Sequence, residues 1–278
     1  MSKWNLIIDI ENCTNCNMCV LACQDEYHGN EFPGYTAEMP KHGHRWIEIM
    51  RKERGAVPMI DVAYLPVMCQ HCDNAPCIKA AENGAVTKRS DGIVLIDPEK
   101  AKGQKQLVES CPYKAIWWND DLQLPQHWIF DAHLLDEGWK EPRAAIVCAT
   151  AAITAKKVDD TEMAKIAEVE GLEVLHPEYN AKPRVYYKNL HLYNKCFIGG
   201  SVTTEKDGFE DCVKDAKVRL MKDTQVVAEA TTDYFGDFKF DRLDENSGAY
   251  TIVVEAGSEK KSVNVELGES VTLADIYI

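Results

Sequence analysis

The sequence predicts an α+β protein with two parts, a cysteine-rich region suited to metal clusters and an all-β region after it. The first observation is that all but two of the eleven cysteines stand before residue 149, in groups whose spacing suits soft-metal ligation. The second is that these groups stop by residue 199, where short alternating strands and turns begin.

The first motif reads Cys13-x2-Cys16-x2-Cys19-x3-Cys23. Three thiolates at this spacing bind three corners of a cubane iron–sulfur cluster, and in two-cluster ferredoxins the fourth cysteine ligates the other cluster. The alternatives are a zinc knuckle or a set of buried thiols. Zinc ribbons use paired C-x2-C knuckles rather than four cysteines in one short run, so the cluster is the favoured interpretation.

A second group follows as Cys69-x2-Cys72-x4-Cys77, with Cys111 standing alone before Pro112. Proline directly after a cysteine breaks a helix and lets the chain turn around a cluster. The spacing is again too close for ordinary disulfides. We therefore expect a second cluster site here.

The first region is predicted to consist of short elements. Periodicity and capping signals indicate a strand over Trp4–Ile10, a helix from Cys19 to near Gly29, a strand over Trp46–Arg54, a hairpin over Gly84–Ile96 and a helix over Asp159–Gly171. Residues 30–68 are predicted to be an insertion, and residues 177–195 an extended connector.

The last region is predicted to be an antiparallel sandwich, because several short strands follow one another at regular spacing. The expected strands are Ala216–Leu220, Val226–Thr232, Phe235–Phe240, Ala249–Glu255, Ser262–Leu267 and Val271–Ile278. Cys196 and Cys212 have no motif partners and are interpreted as plain thiols.

Composition excludes several classes of function. A net charge of −14 disfavours nucleic acid and anionic membrane surfaces as partners. No apolar run approaches the 18 residues of a membrane span, and the first residues do not form a secretion signal. Many cysteines without a secretion signal predict a cytoplasmic, reducing location. The sequence contains no Ser/His/Asp set, phosphate loop or catalytic zinc pattern, so no catalytic residue is expected.

Segments outside the cysteine motifs resemble a known family. They are Glu31–Ala37, His44–Trp46, Ala132–Asp136, Lys182–Leu190 and Thr232–Phe238. Together with the cysteines they resemble the iron–sulfur (beta) subunits of the dimethyl sulfoxide reductase family of molybdenum enzymes. Within it, the resemblance to the small subunits of pyrogallol–phloroglucinol transhydroxylase and of resorcinol hydroxylase-like enzymes is closer still.

The resemblance covers nearly the whole chain and implies three parts. Residues 1–158 are expected to form a double ferredoxin-like 4Fe–4S domain with the insertion at about 30–68. Residues 159–198 are expected to form a helix and an extended connector. Residues 199–278 are expected to form an immunoglobulin-like β-sandwich.

The resemblance also implies how the cysteines pair. In this family the first cysteine motif shares clusters with the fourth, and the second with the third, giving up to four 4Fe–4S clusters. Pro142–Cys148 resembles the end of the fourth motif. Two complete ligand sets are thereby implied, the first set Cys13, Cys16, Cys19 and Cys148, and the second set Cys69, Cys72, Cys77 and Cys111.

The other two sets are incomplete. At the positions of one, here called the cysteine-free set, stand Ala81, Ala101, Gln104 and Leu107. The other, here called the Cys23 set, keeps Cys23 beside Trp128, Asp131 and Ala144. We expect bulky apolar residues to fill the vacated space, because voids are costly. Asp131 is either an iron ligand or a polar residue at a helix end. A gap misplaced after Asp136 would instead make Cys148 a third cysteine and leave the first cluster one ligand short.

The function implied by the resemblance is electron transfer within a molybdopterin-dependent phenol hydroxylase or transhydroxylase, of pyrogallol or resorcinol type, in anaerobic aromatic degradation. Two 4Fe–4S clusters would be bound here. Molybdenum with molybdopterin guanine dinucleotide would be held only by a large catalytic partner, in a heterodimer or higher assembly. Two alternatives remain: a docking subunit whose clusters staple the fold, and a free-standing carrier, for which the β-sandwich and the insertion are surplus.

Overall fold

A computed structural model describes residues Met1–Ile278. The chain forms two compact units, one of Met1–Met50 with Tyr64–Leu190 and one of Arg51–Ala63 with His191–Ile278. The helices are α1 (Met18–Tyr27), α2 (Pro76–Ala80), α3 (Gln106–Ser110), α4 (Ala132–Asp136), α5 (Arg143–Ile146), α6 (Asp160–Glu170) and α7 (His191–Asn194). Every one of them is too short or too polar to cross a lipid bilayer.

A three-stranded sheet organises the first unit. Its central strand is β1 (Lys3–Asp9), and the two strands beside β1 come from much later in the chain. Three hairpins follow β1 in the sequence: β2 (Ile47–Ala56) with β3 (Met59–Met68), β4 (Val86–Lys88) with β5 (Val94–Ile96), and β6 (Trp117–Asn119) with β7 (Leu124–Gln126). Residues Arg51–Ala63 of the first hairpin belong to the second unit. The neighbours of β1 are β8 (Ile153–Val158), which runs antiparallel, and β9 (Val185–Lys188), which runs parallel.

The central strand β1 is buried because it is apolar on both faces, as Leu6, Ile7 and Ile8 show. Its pairing positions the metal region. Ile8 lies opposite Ile153, so the chain leaving β1 toward Cys13 starts beside the chain arriving from Cys148. The predicted strand over Trp4–Ile10 is confirmed.

Helix α6 illustrates how local signals set boundaries. The Asp159 carboxylate accepts a hydrogen bond of 2.9 Å from the Glu162 amide, a standard N-terminal cap. Gly171 ends the helix in the left-handed conformation, with φ of 63°. The predicted helix over Asp159–Gly171 and the predicted helix after Cys19 are both confirmed.

The second unit is mostly β, as predicted. Its strands are β10 (Cys196–Lys206), β11 (Phe209–Cys212), β12 (Lys217–Lys222), β13 (Gln225–Thr231), β14 (Asp237–Leu243), β15 (Gly248–Ala256), β16 (Glu259–Leu267), β17 (Val271–Thr272) and β18 (Ile276–Tyr277). One sheet has the order β11-β10-β14, with β17 and β18 also paired to β10, and the other has the order β13-β12-β15-β16. Side chains of both sheets share one hydrophobic core, including Ile198, Val218, Phe238 and Ile252.

Candidate metal centre

The second set of cysteines lines a single cavity. Cys69 and Cys72 follow strand β3, Cys77 lies in α2, and Cys111 directly follows α3. All four border the cavity, and most of the remaining wall is apolar: Ala75, Pro76, Val94, Pro112 and Ile116. The structure thus brings the four predicted ligands together around a space shielded from water.

Burial controls the protonation of these thiols. It raises the pKa of Cys72 to about 12 and that of Cys77 to about 11, and it also raises the pKa of Cys69 and Cys111. Nearby thiolates raise the first three pKa values further. Four thiols with these pKa values stay neutral at pH 7 unless a cationic group holds them as thiolates, which is what a metal centre does.

A half-buried lysine holds the loop that carries Cys69 and Cys72. The Lys88 ammonium donates hydrogen bonds to the carbonyl oxygens of His71 at 2.8 Å, Cys72 at 3.0 Å and Gly92 at 2.9 Å. It also forms an ion pair of 2.9 Å with Asp73. This one side chain therefore fixes the backbone between two candidate ligands.

Arg184 supports the same loop from the side of β9. Its guanidinium donates to Asp73 at 2.7 Å, to Asp160 at 2.8 Å and to Asn5 at 3.1 Å. Hydrogen bonds from Arg184 and Lys88 lower the pKa of Asp73 despite its burial, which by itself raises that pKa. The carboxylate stays charged between Lys88 and Arg184, and the loop is tied to β1 and α6.

The first set is also assembled. The Cys16 and Cys148 thiols lie within electrostatic range of Cys13 and Cys19, because both contribute to the raised pKa values of Cys13 and Cys19. Burial is the larger cause, and it raises the pKa of Cys19 to about 12. The Ile153 amide lies 3.4 Å from the Cys148 sulfur, on the chain that enters β8. Cys148 thus groups with Cys13, Cys16 and Cys19, which supports the interpretation of Cys148 as the fourth cysteine.

The loop between these cysteines wraps tightly because of two asparagines. Asn15 and Asn17 have φ values of 56° and 61°, in the left-handed region that asparagine tolerates better than most residues. Helix α1, which carries Cys19, packs against α5 just before Cys148. The distant halves of the first set are therefore joined by helix packing as well as by the β1–β8 pairing.

Cys23 is buried next to Cys19 and Asp131, and Asp131 accepts three hydrogen bonds. One carboxylate oxygen of Asp131 accepts from the Tyr27 hydroxyl at 2.5 Å and from the Trp128 indole at 3.1 Å. The other accepts at 2.7 Å from the amide of Arg143, which is the first residue of α5. These bonds favour the interpretation of Asp131 as a polar residue at a helix end over that of an iron ligand.

Apolar side chains fill most of the space at the positions of the cysteine-free set. Ala101 and Leu107 are fully buried, in a core that also includes Ala81 and Cys77. Gln104 instead binds backbone: its carbonyl oxygen accepts from the Glu82 amide at 2.9 Å, and its amide nitrogen donates to the Lys100 oxygen at 2.8 Å.

Sequence reasoning missed Tyr27, Lys88, Asp73 and Arg143. Their roles depend on contacts that exist only in the folded chain, such as the one between Tyr27 and Asp131, which are 104 residues apart. Arg184 lies in a segment singled out for its resemblance, but nothing in the sequence indicated its ion pairs.

The donor set fits a cluster better than a single ion. No three of the Cys, His, Asp or Glu side chains are arranged to hold one metal ion. Four thiols spread around a cavity are instead what a cubane requires, with one cysteine at each corner. This arrangement weakens the zinc alternative.

Two clusters of thiols on a hairpin-rich scaffold define an iron–sulfur protein of the dicluster class, and residues 60–158 match the family model described as a 4Fe-4S dicluster domain. Across the whole chain, 45% identity over 272 residues relates it to the pyrogallol hydroxytransferase small subunit of Pelobacter acidigallici, with 97% of this chain and 96% of that protein covered. The chain belongs to the family of that small subunit.

More distant relatives share the iron–sulfur region. The arsenate respiratory reductase iron–sulfur subunit of Shewanella sp. strain ANA-3 is 29% identical over 140 residues, which cover 50% of this chain and 55% of that protein. The dimethylsulfide dehydrogenase subunit beta of Rhodovulum sulfidophilum is 34% identical over 153 residues, covering 53% and 46%. The prediction of an iron–sulfur subunit is confirmed.

Proposed function

We propose that this chain is the electron-transfer subunit of a molybdopterin-dependent hydroxytransferase or hydroxylase that acts on a polyhydroxylated benzene of pyrogallol or resorcinol type. The observation that carries the proposal is the end-to-end relationship to a hydroxytransferase small subunit together with both four-thiol groups. A large partner, in a heterodimer or higher assembly in the cytoplasm, would hold molybdenum with molybdopterin guanine dinucleotide and the substrate.

The proposed ligands are Cys13, Cys16, Cys19 and Cys148 for one 4Fe–4S cluster, and Cys69, Cys72, Cys77 and Cys111 for the other. When bound, such a cluster accepts and releases single electrons. This chain's residues do the rest: apolar walls exclude water, burial keeps unligated thiols neutral, and Lys88 fixes the ligand loop. The chain itself supplies no catalytic residue.

The fold proposal follows the sequence boundaries. We propose a double ferredoxin-like domain over residues 1–158 with its insertion at about 30–68, a helix and an extended connector over 159–198, and an immunoglobulin-like sandwich over 199–278. The two antiparallel sheets with a shared core support the last of these. Strand β9 of the connector pairs with β1, so residues up to Leu190 fold with the first unit.

A second candidate function is a docking subunit whose clusters only staple the fold. It is favoured by ligands that join remote parts of the chain, Cys13 with Cys148 and Cys69 with Cys111. A redox titration of the complex during turnover separates the two functions. Clusters that change oxidation state support electron transfer, and clusters that never do support the staple.

The ligand assignment is tested by substituting Cys148 and Cys23 separately with alanine and measuring iron in the purified complex. Two cubanes correspond to about eight irons per chain. Cys148→Ala is expected to damage one cluster and lower iron toward half, while Cys23→Ala, a matched control of the same chemistry, leaves it unchanged. About twelve irons, or a loss of iron in Cys23→Ala with Cys148 dispensable, would contradict the assignment.

A further inference from the structure

Three polar atoms in the wall of the second cysteine cavity have no hydrogen-bond partner. They are the Gln70 side-chain oxygen, the Tyr113 hydroxyl and the His127 Nε2 atom. The three residues are only 1%, 7% and 2% exposed. Buried polar atoms without partners are rare in native proteins, and each requires an explanation.

Hydrogen-bond chemistry separates the three. The Gln70 amide nitrogen donates to the Met68 carbonyl at 2.9 Å, which leaves its oxygen as a pure acceptor. His127 Nδ1 lies 2.6 Å from the Trp128 carbonyl and must donate to it, so the Nε2 atom of the neutral ring is also an acceptor. Only the Tyr113 hydroxyl carries a hydrogen to give. The sulfurs of a cluster accept hydrogen bonds and do not donate them.

Tyr113 is fixed next to the sulfurs. It packs in one buried cluster with Cys72, Ala75 and Ala115, and its ring meets that of Tyr179 edge-on at 5.5 Å. Burial raises the pKa of the Tyr113 hydroxyl, and the nearby Cys72 and Cys111 thiolates raise that pKa further. Burial raises the pKa of the Cys111 thiol, and the backbone amides of Tyr113, Lys114 and Ala115 beside it lower that pKa in part.

We propose that the Tyr113 hydroxyl donates a hydrogen bond to a sulfur of the cluster held by Cys69, Cys72, Cys77 and Cys111, and thereby raises its reduction potential. The inference rests on the proposed function. A donor stabilises the reduced cluster more than the oxidised one, because reduction adds negative charge to the sulfurs. Tyr113 then acts as a tuning residue for the potential of this cluster.

The test is Tyr113→Phe in the intact complex, followed by a redox titration read by electron paramagnetic resonance. Phenylalanine keeps the ring and its packing and removes only the donor. The potential of this cluster is expected to fall by about 59 mV, which is a tenfold change for a one-electron couple. The other cluster serves as an internal reference. Tyr179→Phe removes a hydroxyl from the adjacent ring outside the cavity wall and is expected to leave both potentials unchanged.

Two further measurements make the result decisive. Replacement of Tyr113 by 3-fluorotyrosine strengthens the donor without changing its shape, and is expected to move the potential upward. Iron analysis is done first on the unsubstituted complex, since absence of iron at this site overturns the proposed function rather than this inference. If iron is present and neither replacement shifts the potential in its expected direction, the proposed hydrogen bond from Tyr113 to the cluster is contradicted.

Discussion

The two incomplete ligand sets fill the space of the missing cluster by different means. The cysteine-free set is filled by small and medium hydrocarbon side chains, with Ala101 and Leu107 fully buried. The Cys23 set is filled by a large aromatic, Trp128, and by a carboxylate, Asp131, which accepts three hydrogen bonds. The cysteine-free set depends only on apolar packing. The Cys23 set depends on packing and on a hydrogen-bond network in which three donors share Asp131. The two regions should therefore respond differently to substitution.

The largest effect is expected from Trp128→Ala. It removes a fully buried aromatic side chain and one of the donors to Asp131. Such a truncation costs about 3–5 kcal/mol of unfolding free energy. Denaturant unfolding followed by circular dichroism under anaerobic conditions measures it. Trp139→Ala, at a position 43% exposed, is the control, and equal losses from both variants would contradict the assigned role of Trp128.

Leu107→Ala comes next, because it opens a purely apolar cavity. The expected loss is about 2–5 kcal/mol, set by how far Ala81 and Ala101 can close on the gap. The same unfolding assay applies, with the exposed Leu21→Ala as the matched control. Iron should stay constant, since Leu107 is not a ligand. A drop in iron without a drop in stability would show that this position supports a cluster after all.

Asp131→Asn sharpens the comparison with the smallest change in shape. The amide turns one acceptor into a donor that faces the Tyr27 hydroxyl, the Trp128 indole or the Arg143 amide. Leaving buried donors unsatisfied costs about 1–3 kcal/mol. Tyr27→Phe, which removes one donor and leaves the carboxylate intact, should cost less. A loss of iron in Asp131→Asn would instead identify Asp131 as an iron ligand.

Sequence alone reached the parts of this protein that local spacing encodes. Cysteine intervals fix the Cys13 and Cys69 motifs, and the Asp159 cap and Gly171 fix the ends of α6. The parallel pairing of β9 with β1 could not be predicted, because Val185 and Leu6 meet only in the folded chain. The same holds for Lys88, whose three carbonyl partners carry no side-chain signature.

Cys148 lies between these cases. Its motif has lost the other three cysteines, so placing the gap after Asp136 a few residues away would have changed the role assigned to Cys148. The pairing of Ile8 with Ile153 brings it beside Cys13, information that exists only in three dimensions.

The separation between Cys19 and Cys148 has a consequence for the order of events during synthesis. On the proposed ligand assignment, the second set is complete once Cys111 has been made, while the first set still lacks its last thiol. At about 5–20 residues per second, three thiols of the first set wait on the order of ten seconds for the fourth. The nascent chain therefore carries all four thiols of the second set while the first set still lacks Cys148, and the first set also depends on the pairing of β1 with β8.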